Sequence, residues 1–286
     1  MRNTHILIAL TIGLTACGKR SDDAADTNYS ERMAQQHAQD QPTPSLAARA
    51  SARAAVKSQP VDYATINGRT ITGYLAYPTA AEGGLPGILV FHEWWGLNAN
   101  IKSMADQLAA HGYVVLATDL YNGNVAEQPD AARALMDKAL HDRESMAQNL
   151  RQAHGYLREQ VKATRVGTIG WCFGGSVSLR AGLLLADQVD AVVLYYGHVG
   201  SDPAELKSLG APVLGLFGAA DDGIPVESVR AFESTLKQLG KPAEIHLYPG
   251  AAHAFANPSG GNYKPDAAAD AWAKTLAFLA QHLKGD

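Results

Sequence analysis

The sequence predicts an α/β domain built on a mostly parallel, doubly wound sheet, with an antiparallel hairpin before it and helices on both faces. Two observations support this prediction. Short apolar runs typical of strands buried on both faces alternate with helical patterns over residues 87–283. The connections between them are short, as in a parallel sheet with helical crossovers. The 286 residues, 47% of them hydrophobic, suffice to bury such a core.

The hairpin is the first predicted element of the domain. Residues 63–66 and 70–77 have the composition of strands, and the Asn67-Gly68 pair lies between them. Asn-Gly is typical of a type I′ turn, because both central residues of that turn need a positive φ. We therefore expect two antiparallel strands at the start of a single domain that spans residues 61–286.

The remaining elements follow in strict alternation. Six apolar runs predict strands at 87–91, 113–117, 165–170, 191–195, 212–217 and 243–248. Helical patterns lie at 99–111, 129–161, 175–186, 226–239 and 266–283, and the second of these is long enough for two helices. No internal repeat or second domain interrupts this order.

The first 17 residues have the pattern of a lipoprotein signal. Arg2 supplies a positive charge, residues 6–14 form an apolar run too short to span a bilayer, and Leu14-Thr15-Ala16-Cys17 resembles the bacterial lipobox. This predicts removal of residues 1–16 and lipidation of Cys17. Gly18 in place of aspartate predicts anchoring on the periplasmic side of the outer membrane. An ordinary secretory signal or a short N-terminal helix is the alternative.

The next segment, residues 17–60, is interpreted as a lipidated N-terminus and flexible tether. It is rich in Ala, Gln, Asp and Ser, contains Pro42 and Pro44, and has almost no large apolar side chains. Alanine could make residues 29–38 transiently helical. We see no apolar stripe that would dock such a helix, so we expect the segment to provide reach only.

Composition excludes several classes of function. The formal net charge of −4 and the lack of a Lys/Arg cluster argue against nucleic-acid partners. The dinucleotide and Walker phosphate-binding motifs are missing, so no cofactor is expected. With Cys17 lipidated, Cys172 is the one unmodified cysteine, which suggests a chemical role; a buried core cysteine is the alternative. A redox role would lack a resolving cysteine.

The most informative segment is the strand at 166–170 that leads into Gly170-Trp171-Cys172-Phe173-Gly174 and then a helical pattern. It has the form of a nucleophile elbow in which cysteine replaces serine. The helix N-terminus favours the thiolate of Cys172. The backbone N–H of Phe173 would point at an oxyanion.

A thiol nucleophile needs a base and an acid, which follow it in chain order in this type of site. His253 lies in a loop after the last strand and is the predicted base. Asp221 lies after the strand at 212–217 and is the predicted acid, with Asp222 as the alternative; both could instead cap the next helix. His92 and His198, at strand ends, are minor candidates for the base.

A further loop, His92-Glu93-Trp94-Trp95-Gly96, places a carboxylate and two large aromatic residues at the end of the first parallel strand. It is not a zinc motif, because Gly96 stands where a second histidine is needed, and no metal is expected. In this architecture the loop supplies the second oxyanion donor, the N–H of Trp94. Glu93 is either a structural acid or a functional one.

Five motifs together resemble the dienelactone hydrolase family of α/β-hydrolases over residues 61–284. They are His92-Glu-Trp-Trp-Gly-Leu97, Asp119-Leu-Tyr121, Gly170-Trp-Cys-Phe-Gly-Gly175, Gly218-Ala-Ala-Asp221 and His253-Ala-Phe255. The resemblance implies a triad of Cys172, His253 and Asp221. It also implies that Glu93 holds the thiol at rest and helps to activate it when substrate binds.

The sequence departs from the family at one position. Members that act on the chlorocatechol-derived lactone carry an arginine four residues after the catalytic histidine, and this chain has Asn257 there. The resemblance therefore implies a different small ester, lactone or thioester. Trp94, Trp95 and Tyr121 could line its pocket, or be core aromatics.

Together these observations predict a hydrolase that cleaves a carboxylic ester or lactone through an acyl-thioester on Cys172. Peptide hydrolysis fits less well, because thiolate leaves more readily than an amine. The alternative is a membrane-tethered protein on the same fold that binds a small ligand without turnover. The two differ in whether Cys172 is needed.

Overall fold

The computed structural model describes residues 29–38, 56–80 and 84–285. The predicted signal peptide, the lipidation site at Cys17 and most of the predicted tether lie outside these residues. Within the described part of the chain, no helix combines the length and apolar character needed to cross a membrane.

An eight-stranded sheet forms the centre of the described structure, with the order β1-β2-β4-β3-β5-β6-β7-β8. The pairs β1/β2 and β2/β4 are antiparallel and the other pairs are parallel. The predicted fold class is confirmed. The strands are β1 (Val56–Ile66), β2 (Arg69–Pro78), β3 (Gly87–Phe91), β4 (Val114–Ala117), β5 (Val166–Trp171), β6 (Ala191–Tyr195), β7 (Val213–Gly218) and β8 (Ala243–Tyr248).

The strands β3 to β7 are buried along their whole length, as their unbroken apolar sequences predict for strands covered on both faces. The predicted hairpin turn is confirmed, with positive φ angles of 51° at Asn67 and 75° at Gly68. Strand β1 begins at Val56, earlier than predicted, because Val56 still pairs with Pro78 at the end of β2.

Helices cover both faces of the sheet. They are α1 (29–36), α2 (Ala99–Ala110), α3 (Pro129–His141), α4 (Arg143–Gly155), α5 (Phe173–Leu185), α6 (Pro203–Leu206), α7 (Val226–Gln238) and α8 (Pro265–Leu279). Asp142 separates α3 from α4, and its Oδ1 accepts a hydrogen bond from Ser145 N at 3.1 Å. The predicted division of residues 129–161 into two helices is therefore confirmed.

Helix α1 corrects the expectation that residues 29–38 have nothing with which to dock. Tyr29, Met33 and His37 follow one another at four-residue spacing, and their exposed fractions are 2%, 0% and 2%. The stripe was missed because a tyrosine, one methionine and a histidine are a weak apolar signal. All three side chains enter a cleft at the carboxyl edge of the sheet. We call residues 29–38 the strap.

Candidate active site

Cys172 occupies the turn between β5 and α5. Its φ is 57° and its ψ is −121°, a backbone conformation that non-glycine residues rarely adopt. The flanking glycines are required by close backbone approach: a Cβ on Gly170 would lie 2.0 Å from Gly174 O, and a Cβ on Gly174 would lie 2.2 Å from Phe91 O. This geometry presents the thiol at the N-terminus of α5, as the predicted elbow requires.

His253 and Asp221 form a buried pair. His253 Nδ1 lies 2.7 Å from Asp221 Oδ2, and both side chains are inaccessible. Asp221 Oδ1 accepts the N–H groups of Gly223 at 2.8 Å and Ile224 at 3.0 Å, which fixes the carboxylate. Asp222 is exposed, so the carboxylate that lies against the imidazole is Asp221. This contact leaves Nε2 as the nitrogen of His253 available to the thiol.

The thiol and the imidazole shift each other's pKa. Burial by itself would raise the pKa of Cys172, but the charges and hydrogen bonds of His253 and His37 together outweigh burial and lower the pKa to about 6. Burial by itself would lower the pKa of His253, but the charges on Asp221 and Cys172 outweigh it and raise the pKa. The two shifts have the directions that favour a thiolate paired with an imidazolium.

Glu93 is a second buried carboxyl group near the thiol. Burial, followed by the negative charge on Cys172, raises the pKa of Glu93 to about 7. Asn257 Nδ2 donates to Glu93 Oε2 at 2.8 Å, while Asn257 Oδ1 accepts from Asn100 Nδ2 at 3.2 Å and Ser259 N at 2.8 Å. Asn257, predicted to line the substrate pocket, thus holds Glu93 in place, and sequence reasoning did not identify Asn100 as its support.

The two predicted oxyanion donors lie on adjoining segments. Phe173 is the first residue of α5, so its N–H has no acceptor inside the helix. Trp94 lies in the turn after β3, where Gly96 N donates to Glu93 O at 3.2 Å. The contact of Gly174 with the end of β3 brings these two segments together. Two N–H groups from α5 and the loop after β3 are the usual source of an oxyanion hole in this architecture.

Aromatic side chains pack around these segments. Tyr121 stacks on Phe173 with ring centroids 5.8 Å apart, and Trp94 lies edge to face with Trp95 at 4.9 Å. All four rings are buried, and Tyr121 packs directly on Phe173 of the elbow. The place of Trp95 and Tyr121 in a substrate pocket stays a prediction.

His92 and His198 lie apart from the acid and base chemistry. Leu120 N donates to His92 Nε2 at 3.2 Å, and His92 Nδ1 lies 2.6 Å from Glu93 O. Burial lowers the pKa of His92 to about 4, so this ring is neutral and holds two loops together. The ring of His198 packs on Tyr29 at 5.3 Å.

The strap covers the thiol. Met33 Sδ lies 3.8 Å and His37 Nε2 lies 3.9 Å from Cys172 Sγ. The His37 ring also packs against Trp94 at 4.9 Å and His253 at 5.1 Å. Cys172 and His253 are both 0% exposed, so the structure is of a closed site. Sequence reasoning missed these contacts, although the four-residue spacing in the strap was a signal that could have found them.

One group of side chains in the described residues has the arrangement of metal ligands. A ring nitrogen of His37, Cys172 Sγ and a ring nitrogen of His253 all lie within 4.8 Å of one another.

The sequence is similar to that of proteins in a known family. The profile of the dienelactone hydrolase family matches residues 71–283. The usf protein of Aquifex pyrophilus is 31% identical over 224 residues, covering 76% of this chain and 96% of that protein. A protein of Aquifex aeolicus named as a carboxymethylenebutenolidase is 30% identical over 225 residues, again covering 76% and 96%.

Structural comparison agrees. A crystal structure from Klebsiella pneumoniae described as a dienelactone hydrolase has a TM-score of 0.70 and 27% identity, and the match covers 79% of this chain and 99% of that one. A bacterial brefeldin A esterase has a TM-score of 0.64 at 15% identity, covering 96% of this chain and 90% of that one, which supports the fold alone.

Proposed function

The chain belongs to the dienelactone hydrolase family, and on that premise we propose that it hydrolyses carboxylic esters or lactones with Cys172 as nucleophile. The observation that supports this most strongly is the joint geometry of the site. A thiol in a strained, positive-φ turn lies beside an imidazole whose other nitrogen is 2.7 Å from a buried carboxylate.

In the first half of the proposed reaction, the Cys172 thiolate attacks the acyl carbon and forms the carbon–sulfur bond. The carbonyl oxygen becomes an oxyanion, which the N–H groups of Phe173 and Trp94 stabilise. The carbon–oxygen bond of the ester then breaks, and the departing oxygen takes the proton from His253 Nε2. The acyl group remains on sulfur, and His253 is left neutral.

In the second half, neutral His253 removes a proton from water, and the resulting hydroxide attacks the thioester. The carbon–sulfur bond breaks, the carboxylic acid leaves, and the pair returns to thiolate and imidazolium. Asp221 stays ionised throughout: it fixes the proton of His253 on Nδ1 and stabilises the positive ring.

We propose that Glu93 controls the charge state of the thiol. Because its pKa of about 7 lies close to neutral pH, it can hold or release a proton with little cost. Protonated Glu93 does not repel the negative sulfur, so a proton held by Glu93 stabilises the attacking thiolate; the family resemblance also implies that this residue helps to activate the thiol. Asn257 is a positioning residue in this scheme, since it touches Glu93.

The substrate class follows from leaving-group chemistry. Thiolate leaves a tetrahedral intermediate more readily than an alkoxide or an amine, so the intermediate collapses forward only when the acyl group carries a better leaving group. Enol lactones, enol or aryl esters and thioesters meet this condition. The neutral Asn257 amide is hydrogen-bonded to Glu93 and offers no positive charge to a substrate carboxylate, which favours uncharged acyl groups.

The test is hydrolysis of a panel of aryl esters, enol lactones and thioesters by the full-length protein beside its Cys172→Ala variant. We expect the wild type to turn over the activated esters and the variant to lose at least about 10³-fold in kcat/KM, because the acyl-thioester cannot form. Circular dichroism of both proteins controls for folding. Equal rates, or no turnover in either protein, would contradict the proposal and favour a ligand-binding protein on this fold.

A further inference from the structure

The strap does more than exclude solvent, because it adds a third donor atom to the catalytic pair. His37 Nε2 lies 3.9 Å from Cys172 Sγ. These two atoms and one ring nitrogen of His253 all lie within 4.8 Å of one another. All three side chains are buried. Two imidazole nitrogens and one thiolate are thus brought together only when the strap is closed.

The nitrogen of His253 that faces this group is Nε2. Nδ1 is already bound to Asp221, and Nε2 is buried with no hydrogen-bond partner among the described residues. A histidine that binds a carboxylate through one nitrogen and presents the other to a cation is the usual arrangement in zinc proteins, because the carboxylate fixes the ring and makes it more basic.

We propose that His37, Cys172 and His253 form a binding site for a thiophilic divalent cation such as Zn²⁺, and that the bound cation inhibits the enzyme by holding the strap closed. Binding is independent of the proposed function, whereas inhibition rests on it. Because Cys172 Sγ would donate its electron pair to the cation, it could not attack an acyl carbon. His253 Nε2 would release its proton to solvent on binding the cation, and once coordinated it could not move a proton.

The three donor atoms lie within 4.8 Å of one another, so they must move closer together to bind such a cation. Zinc–sulfur and zinc–nitrogen bonds of about 2.3 and 2.0–2.1 Å in a tetrahedral site put a sulfur and a nitrogen ligand about 3.6 Å apart. The observed 3.9 Å between Cys172 Sγ and His37 Nε2 needs a small contraction. One thiolate and two imidazoles select Zn²⁺, Co²⁺ and copper over Mg²⁺ and Ca²⁺, which prefer oxygen ligands.

Cobalt is the direct probe of binding, since a thiolate bound to Co²⁺ gives a charge-transfer band in the near ultraviolet. We expect the full-length protein to develop this band with one Co²⁺ per chain and to lose it in Cys172→Ser. His37→Phe keeps an aromatic ring beside Trp94 and removes the nitrogen, so we expect at least a tenfold weaker Co²⁺ affinity. Met33→Leu changes the strap but leaves all three ligands, so it should bind Co²⁺ as the wild type does.

Inhibition is measured separately, by titrating Zn²⁺ into a hydrolysis assay with an aryl ester. The Zn²⁺ concentration for half inhibition should rise at least tenfold in His37→Phe and stay within about twofold in Met33→Leu. Equal values in the wild type and His37→Phe would show that the strap supplies no ligand and would overturn the proposal, as would the lack of a cobalt band. A cobalt band without any hydrolysis would retain the metal site and count against the proposed function alone.

Discussion

Two regions of the molecule enclose the same sulfur atom and differ in how they are held. The elbow around Cys172 is fixed by backbone: β5 pairs with β3 and β6, Cys172 N donates to Tyr195 O at 3.0 Å, and the flanking glycines touch neighbouring main chain. The strap reaches the sulfur through the side chains of Met33 and His37. The first arrangement fixes a reactive geometry, and the second can open.

Residues at this site are therefore buried for two different reasons. The elbow is buried because its strands lie in the middle of the sheet, so exposing it requires unfolding. The thiol is buried because the strap lies over it, so exposing the thiol requires undocking of the strap, including the buried side chains of Tyr29, Met33 and His37. A substrate would therefore have to displace the strap, and we expect the population of open protein to limit the observed rate.

The largest effect on kcat/KM is expected from a change at Asp221, which holds the His253 ring. Asp221→Asn keeps the shape of the side chain but removes the charge that stabilises the His253 imidazolium and fixes its proton on Nδ1. We expect kcat/KM for an activated ester to fall by about 10³-fold or more. The neighbouring exposed Asp222→Asn is the matched control and should stay within about twofold. A loss of activity in Asp222→Asn equal to that in Asp221→Asn would break the assignment.

A smaller effect, an increase in kcat/KM, is expected when the strap is weakened. Met33→Ala deletes a fully buried side chain that touches Cys172 Sγ, and we expect the weaker docking to raise the open population by about tenfold, a change of about 1.4 kcal/mol. Both kcat/KM and the rate of thiol alkylation by iodoacetamide should increase. Gln35→Ala, at an exposed position of the strap, is the control. An unchanged or slower alkylation rate in Met33→Ala would show that the strap does not limit access.

The last prediction is on stability, not on rate, and concerns the carboxyl group beside the thiol. The folded pKa of Glu93, about 7, lies above its ordinary value, so the folded state retains the proton and stability contributed by the protonated form is lost as pH rises toward 7. Urea unfolding at pH 5 and pH 8 should show Glu93→Gln gaining about 1–3 kcal/mol relative to the wild type at the higher pH. The same difference in free energy of unfolding between the two proteins at pH 5 and pH 8 would contradict this prediction.

Much of the fold could be predicted because the apolar runs are unambiguous. Strands β3 to β7 are continuous apolar sequences, and the observed helix α5 begins at Phe173, two residues before the predicted start. The difference arises because Gly174 and Gly175 read as turn residues, whereas here they are helical residues chosen for close contact with Phe91 and Tyr195. The early start of β1 was missed because Gln59 and Pro60 carry no strand pattern, although both pair with β2.

The candidate site also has features that could be predicted from the sequence and features that could not. Cys172, Asp221 and His253 lie at strand ends in a known chain order, so their proximity could be predicted from the positions of the strands. The place of Asn257 in a substrate pocket stays a prediction, whereas its hydrogen bond to Glu93 could not be predicted, because the direction of an amide side chain depends on partners such as Asn100, which is distant in sequence.

The sheet, the elbow and the residues that carry the thiol, imidazole and carboxylate follow from the sequence alone, since these depend on local periodicity, glycine at crowded positions and the order of elements along the chain. The position of the strap over Cys172, with His37 beside the thiol, depends on tertiary packing and could not be predicted from local sequence. Its contacts join residues 135 or more positions apart in the chain and rest on shape complementarity in a cleft that exists only after the sheet has formed.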